Sequence, residues 1–201
     1  MLKKIPNTNI AAIIERYQLT DEAQAILDLK MSPKQAIDSL VEVKLYNDAI
    51  QFIAHALPMI DGIFWASEAL ALRINEWDNP QRQAINSARQ WLQQPNETHR
   101  IRANQLGDRI GLEVAPAWVA KAVYWSGTGS IVAPELPAVM PPAFLYGHAI
   151  AAAISVAAAV PAWKEGDMGY EKFYLKVIEQ ALNIAQGAPL HLTLLTMNED
   201  K

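Results

Sequence analysis

Between Leu45 and Leu72 the chain reads LYNDAIQFIAHALPMIDGIFWASEALAL, with polar side chains so sparse that no face stays wet along its length. From Ala49 to Leu57 only Gln51 and His55 are polar. They lie four apart below Asp48 and make one narrow stripe on a helix that is otherwise apolar all round. Such a helix has to be covered by others, so the segment predicts the centre of an all-α domain.

The flanking segments carry an apolar stripe and a wet face at helical spacing. Ile10, Ile13, Ile14 and Tyr17 share a face behind Thr8, and Ala36, Ile37, Leu40 and Val41 share one behind Ser32. Ala84, Ile85, Ala88, Trp91 and Leu92 do the same, with Arg82, Asn86, Arg89, Gln90 and Gln93 outside. Start and stop signals fall where the stripes begin and end. Thr8 and Thr20 stand as N-caps, and Ser32-Pro33-Lys34-Gln35 offers a capping box with proline in the first helical position. Pro58 stops one helix and a longer one spans Ile60 to Glu76. Asn79 caps the next, and Asn96 caps another that ends near Gly111. Pro116 opens PAWVAKAVYWSG with Gly127 as its C-cap, and a last helix runs from Tyr170 to Gln186 before Gly187. The reading is one compact bundle of about ten short-to-medium helices over residues 1–187, in which 1–30 can form an N-terminal helical appendage. Residues 188–201, APLHLTLLTMNEDK, are a tail apolar enough to dock on the body or to add to a partner.

Residues 127–142, GTGSIVAPELPAVMPP, break the pattern with two glycines and four prolines. Neither a helix nor a central strand survives that composition. The segment is therefore a long loop, and loops of this length in a compact domain commonly carry function. Its apolar members Ile131, Val132, Leu136, Val139 and Met140 are expected to lie against the domain.

Composition narrows the function classes. The 201 residues are 51% hydrophobic and 19% charged, with net charge −4. No basic block exists to track a phosphate backbone, which argues against nucleic acid. There is no cysteine, so disulfides, thiolate catalysis and Cys-based metal sites are excluded. After MLKKI, Pro6 and Asn7 interrupt the place where a signal peptide needs its apolar run, and a cytoplasmic protein is expected. The segment from Ala143 to Val160 is apolar but alanine-rich and holds His148, so it reads as a buried helix rather than a membrane span.

No catalytic constellation emerges, and no metal or cofactor is implied. His55, His99, His148 and His191 show no metal-ligand spacing. His55 and His148 read as core histidines, with Asp48 able to join His55 through Gln51. Glu68, in apolar surroundings, is expected to pair with Arg73 or Arg89. Gly127-Thr128-Gly129-Ser130 lacks the lysine, preceding strand and following helix of a phosphate loop. Of six tryptophans most should pack helix crossings, while Trp125 and Trp163 sit at helix ends beside irregular chain. Together with Gly127, Leu136 and Pro137 of the loop they make the one candidate site, a partner-binding surface.

Several blocks carry a family resemblance: SPKQAIDSLVEVKLYNDAIQFIAHALP, FWASEALALR, ARQWLQQP and APAWVAKAVYWSGTGSIVAPELP. They resemble an uncharacterised bacterial all-helical family, domain of unknown function 6931, over about Ser32 to Gly187. Its genes often lie near those of type VI secretion. Phe64-Trp65 stands where the family pattern has two tryptophans, and the tail has no counterpart. The stretch ALALRINEWDNPQRQAINSARQWL is also similar to helical families described as immunity proteins. The resemblance implies a non-enzymatic protein-binding role, as adaptor or accessory factor to a secretion component or effector. The alternatives are an immunity protein that neutralises a toxin and an enzyme using groups such as His55 with Glu68.

Overall fold

A computed structural model describes residues 2–133, 135–160 and 168–193; Trp163 lies outside them. The described residues form ten α-helices and one short 3-10 turn, with no strand. In chain order the helices are α1 (Ala11–Ile14), α2 (Asp21–Ile26), α3 (Pro33–Glu42), α4 (Tyr46–Ala56) and α5 (Met59–Ala71). They continue as α6 (Asn79–Gln93), α7 (Glu97–Ile110), α8 (Ala115–Tyr124), α9 (Leu145–Ala158) and α10 (Tyr170–Gln186).

The local chemistry sets most boundaries. Ser32 and Gln35 close the expected capping box on α3, the Thr20 side chain caps α2, and the Asn96 side chain caps α7. Four expectations need correction. Ile10, not Thr8, is the N-cap of α1 and makes no side-chain cap bond. Asp78, not Asn79, caps α6, because Gln81 stands three residues beyond it and closes a second capping box. The helix expected over Ile60–Glu76 ends at Ala71, and Ile74–Glu76 tightens into the 3-10 turn. The C-cap of α8 is Trp125, and Gly127 lies two residues further on with φ +83°.

The centre is where the sequence pattern put it. In α5 every residue from Asp61 to Leu70 is buried, and α9 packs against α4, α5 and α8. The alanines of α9 are mostly buried and permit that close approach. Among the described residues no helix is long and apolar enough to cross a membrane. At the α7–α8 contact, a Cβ on Gly107 would sit 3.1 Å from the Ala120 Cβ and 3.2 Å from the Ala117 carbonyl. A side chain at this position would push the two helices apart by a few tenths of an ångström. Trp65, Trp77 and Trp91 are buried; the Trp65 indole donates to the Val177 carbonyl and the Trp77 indole to that of Leu70. Leu2, Ile5, Ile10 and Ile13 join the same core, and Leu190 and Leu192 pack against it.

Candidate functional site

The loop between α8 and α9 is rooted at one end by Arg100 of α7. Its guanidinium is fully buried and donates four hydrogen bonds. Nε and Nη2 fork onto the Glu97 carboxylate at 2.7 Å each, Nη1 donates to the Tyr124 carbonyl at 2.8 Å, and Nη2 also donates to the Ser130 carbonyl at 2.6 Å. The Tyr124 ring lies under the charge, 4.7 Å away. The bond from Arg100 holds the Glu97 carboxyl below its usual range. A Cβ on Gly129 would fall 2.7 Å from the Arg100 Nε, so a side chain there would push the guanidinium off its partners.

From that root the loop closes on itself. The Ile131 amide donates to the Val139 carbonyl at 2.8 Å, and the Ser130 hydroxyl oxygen accepts from the amides of Val132 and Val139. Leu136 donates its amide to the Ala133 carbonyl in a turn at the tip. Ile131 and Val132 are half-buried and Pro141 is buried, but Leu136, Val139 and Met140 are exposed at 57%, 49% and 51%. The expectation that these five apolar residues lie against the domain therefore needs correction: Leu136, Val139 and Met140 face outward, and only Ile131 and Val132 are partly shielded.

The other end is set by Arg16, just beyond α1. Phe144 enters α9 in the left-handed region (φ 61°), and the Arg16 guanidinium lies 4.5 Å above its ring. Arg16 also donates to the His55 carbonyl at 2.6 Å, which ties the end of the loop to the core of α4. The His55 ring is fully buried, with Tyr17 stacked on it at 4.6 Å and the edge of His148 4.6 Å away. Nδ1 sits 2.8 Å from the Gln51 main-chain carbonyl, which only accepts, so Nδ1 carries the proton. The lone pair on Nε2 then has no partner among the described residues, and the same holds for the Tyr17 hydroxyl. Burial pushes the His55 pKa down to about 4; the Gln51 carbonyl opposes the shift, and His148 and Arg16 add to it. Burial, then Asp48, raises that of Tyr17. The expected link from Asp48 through Gln51 is not made: Asp48 accepts from the Thr20 hydroxyl, and the Gln51 side-chain oxygen has no partner among the described residues.

Of the sequence-predicted site, Gly127 lies at the loop entrance and Leu136 and Pro137 at its exposed tip. Trp125 is half-buried and faces Trp118 edge-on at 6.5 Å, with the Lys121 ammonium 5.8 Å from its ring. Sequence reasoning missed Arg100 and Arg16, which hold the loop. The one available signal was Glu97 three residues before Arg100, a helical ion-pair spacing.

His55 and Glu68 are held by different partners. Glu68 pairs with Arg89 at 2.7 Å, as expected for one of its two candidate arginines, and also accepts from the amide and hydroxyl of Thr193.

Comparison with curated proteins finds no match, and neither does comparison with solved structures. The chain does match a family model over residues 36–185, from α3 through most of α10 and including the whole loop. It belongs to a family of unknown function, DUF6931.

Proposed function

We propose that this chain is a non-enzymatic protein-binding protein whose contact surface is the loop of residues 127–142. The observation that carries the reading is the tethering of an apolar tip pointed away from the core. Leu136, Val139 and Met140 are exposed, while buried Arg100 and half-buried Arg16 fix the two ends of the loop. A loop left free would bury such side chains or fluctuate. One held open lowers the ordering cost of binding, which is the main advantage of a preorganised surface. Trp125 at the entrance adds an aromatic anchor of the kind that carries interface energy. By the family resemblance, the partner is a component or cargo of a bacterial type VI secretion system and this chain its adaptor.

The test is affinity capture at endogenous level from the native cells, with the wild-type chain and a Leu136→Asp/Val139→Asp variant side by side. Both substitutions lie at exposed positions, so the fold should survive. Near-stoichiometric recovery of one secretion component by the wild type, and its loss with the variant, supports the reading. Equal recovery by both chains removes the loop from the interface. Recovery of a toxin whose activity the chain blocks would support the immunity role instead.

A further inference from the structure

A buried ion pair joins α5 and α6 beneath the tail. Glu68 and Arg89 are buried, 8% and 6% exposed, and form an ion pair. A pair taken out of water needs its remaining hydrogen-bonding capacity filled, or its desolvation outweighs the attraction. Here one residue of the chain's own tail fills much of it. The Thr193 amide donates to both Glu68 oxygens at 3.3 Å, its hydroxyl donates to Oε2, and its carbonyl accepts from the Arg89 Nη1. Arg89 Nη2 holds Glu68 Oε1 at 2.7 Å and reaches the Ser67 carbonyl at 3.3 Å, while Nε is buried without a partner among the described residues.

Every main-chain polar group of Thr193 is thus read by a charged side chain, and the only side-chain feature read is a hydroxyl. Just before it, Leu190 and Leu192 alternate with exposed His191 and rest half-buried against the core. Residues 188–193 have no regular structure of their own, and Gly187, which ends α10 with φ +102°, turns the chain onto this surface. The arrangement is that of a peptide lying in a receptor site, with peptide and receptor on one chain.

We propose that the Glu68–Arg89 pair is a binding site for an extended Leu-x-Leu-Thr (or Ser) segment, occupied in cis by the tail, and that a partner protein's segment of the same chemistry enters by displacing it. The clamp tolerates different sequences because it reads the backbone, the two leucine positions set the register, and the hydroxyl selects Thr or Ser. A tethered tail competes at the millimolar effective concentration of a short linker, so the site opens only to a partner that is abundant or held nearby by another contact. This surface is separate from the loop of residues 127–142 and does not depend on the function proposed for that loop.

The probe is a fluorescein-labelled peptide of residues 188–201, titrated by anisotropy into the full-length wild-type chain and into full-length Thr193→Pro. That substitution removes the amide and hydroxyl donors from the tethered tail. The peptide is expected to bind the variant at least about tenfold more tightly than the wild type, and a peptide carrying Thr193→Val should lose most of that affinity. Equal binding to both chains, no binding to a variant that retains its helical circular dichroism, or equal affinity of the Thr and Val peptides each overturns the proposal. Hydrogen exchange on the wild-type chain tests it without any variant. The Thr193 amide should exchange at least about 100-fold faster than core amides such as Trp65, by local opening. Exchange of the two at the same rate would mean that the tail leaves only when the protein unfolds, and the site would not be available to a partner.

Discussion

His55 should make this protein acid-sensitive over a window that its carboxylates do not explain. Its ring is fully buried and neutral, with a pKa near 4 against an ordinary value of 6.5. Between those values the unfolded chain carries the extra proton and the folded chain does not, so lowering the pH favours unfolding. The native contribution is complete above pH 6.5, falls by about 2 kcal/mol at pH 5 and by about 3 kcal/mol at pH 4, and levels off below that. The control is His55→Asn, whose amide nitrogen can take the place of Nδ1 against the Gln51 carbonyl and cannot titrate. Its own cost at neutral pH does not matter, because the readout is a slope. Glu97, held low by its bond from Arg100, and Glu171, held low by its bond from Lys44, weaken in acid in both chains and cancel in the difference. Urea unfolding of both proteins at pH 7, 6, 5 and 4, with ΔG from linear extrapolation, measures the effect. The wild type should lose about 3 kcal/mol more than the variant between pH 7 and pH 4. Parallel profiles would refute the reasoning and mean that His55 is protonated in the folded chain at ordinary affinity.

Three further outcomes follow from single contacts. Gly147→Ala gains about 0.5–1 kcal/mol of helix propensity, but its Cβ would lie 2.9 Å from His55 Cδ2 and Nε2. The ring, wedged between Tyr17 and His148, has little room to yield. A net loss of about 1–2 kcal/mol is expected, seen as a lower melting temperature and relieved in the double variant with His55→Asn; an unrelieved loss would place the clash elsewhere. Arg100→Lys keeps the charge but not the fork, and should cost about 2–4 kcal/mol while making the loop of residues 127–142 the first site of limited proteolysis. Cleavage at wild-type rate would mean that the loop is held by other means. Glu68→Gln leaves the Arg89 charge buried without its counter-ion and should cost about 3–5 kcal/mol by denaturant unfolding; a loss under about 1 kcal/mol would show that the pair is effectively solvated.

The features readable in the sequence are those decided within a turn of helix. Ser32, Thr20 and Asn96 cap because each supplies a side-chain oxygen to an amide three residues on, a relation that involves no other part of the chain. Even the error at Asn79 was local: Asp78 has Gln81 at capping-box spacing and Asn79 does not. The buried stripe of α4 and the apolar α5 were legible because a helix without a wet face has only one place to go. The loop was legible as a loop from its prolines, but not in its direction. The loop's course is tied to contacts such as the bond from Arg100 to Ser130, between residues thirty positions apart. Arg100 itself resembles a surface arginine beside Arg102 and Arg109, and only the crossing of α7 over the loop root buries it. The meeting of His55 with His148 likewise arises from the packing of α4 on α9, which periodicity in either helix does not encode.

Several departures from ordinary packing border the two ends of the loop. A non-glycine residue in the left-handed region costs about 1–2 kcal/mol, and Phe144 bears that cost at the entry to α9. Lys44, the other such residue among those described, stands in an exposed turn after α3. The unpaired His55 Nε2 and Tyr17 hydroxyl lie one contact away, through the bond from Arg16 to the His55 carbonyl. At the far end, a fully desolvated arginine is used to hold a loop backbone. A fold under selection for stability alone would replace this with a shorter connection and an apolar core, because each feature has a cheaper substitute of similar volume. Strain that persists only where the surroundings over-determine it points to something the surroundings are holding in place. Between Arg16 and Arg100 the object held is the loop tip with Leu136, Val139 and Met140. This supports the binding surface by an argument that does not depend on how apolar those three residues are.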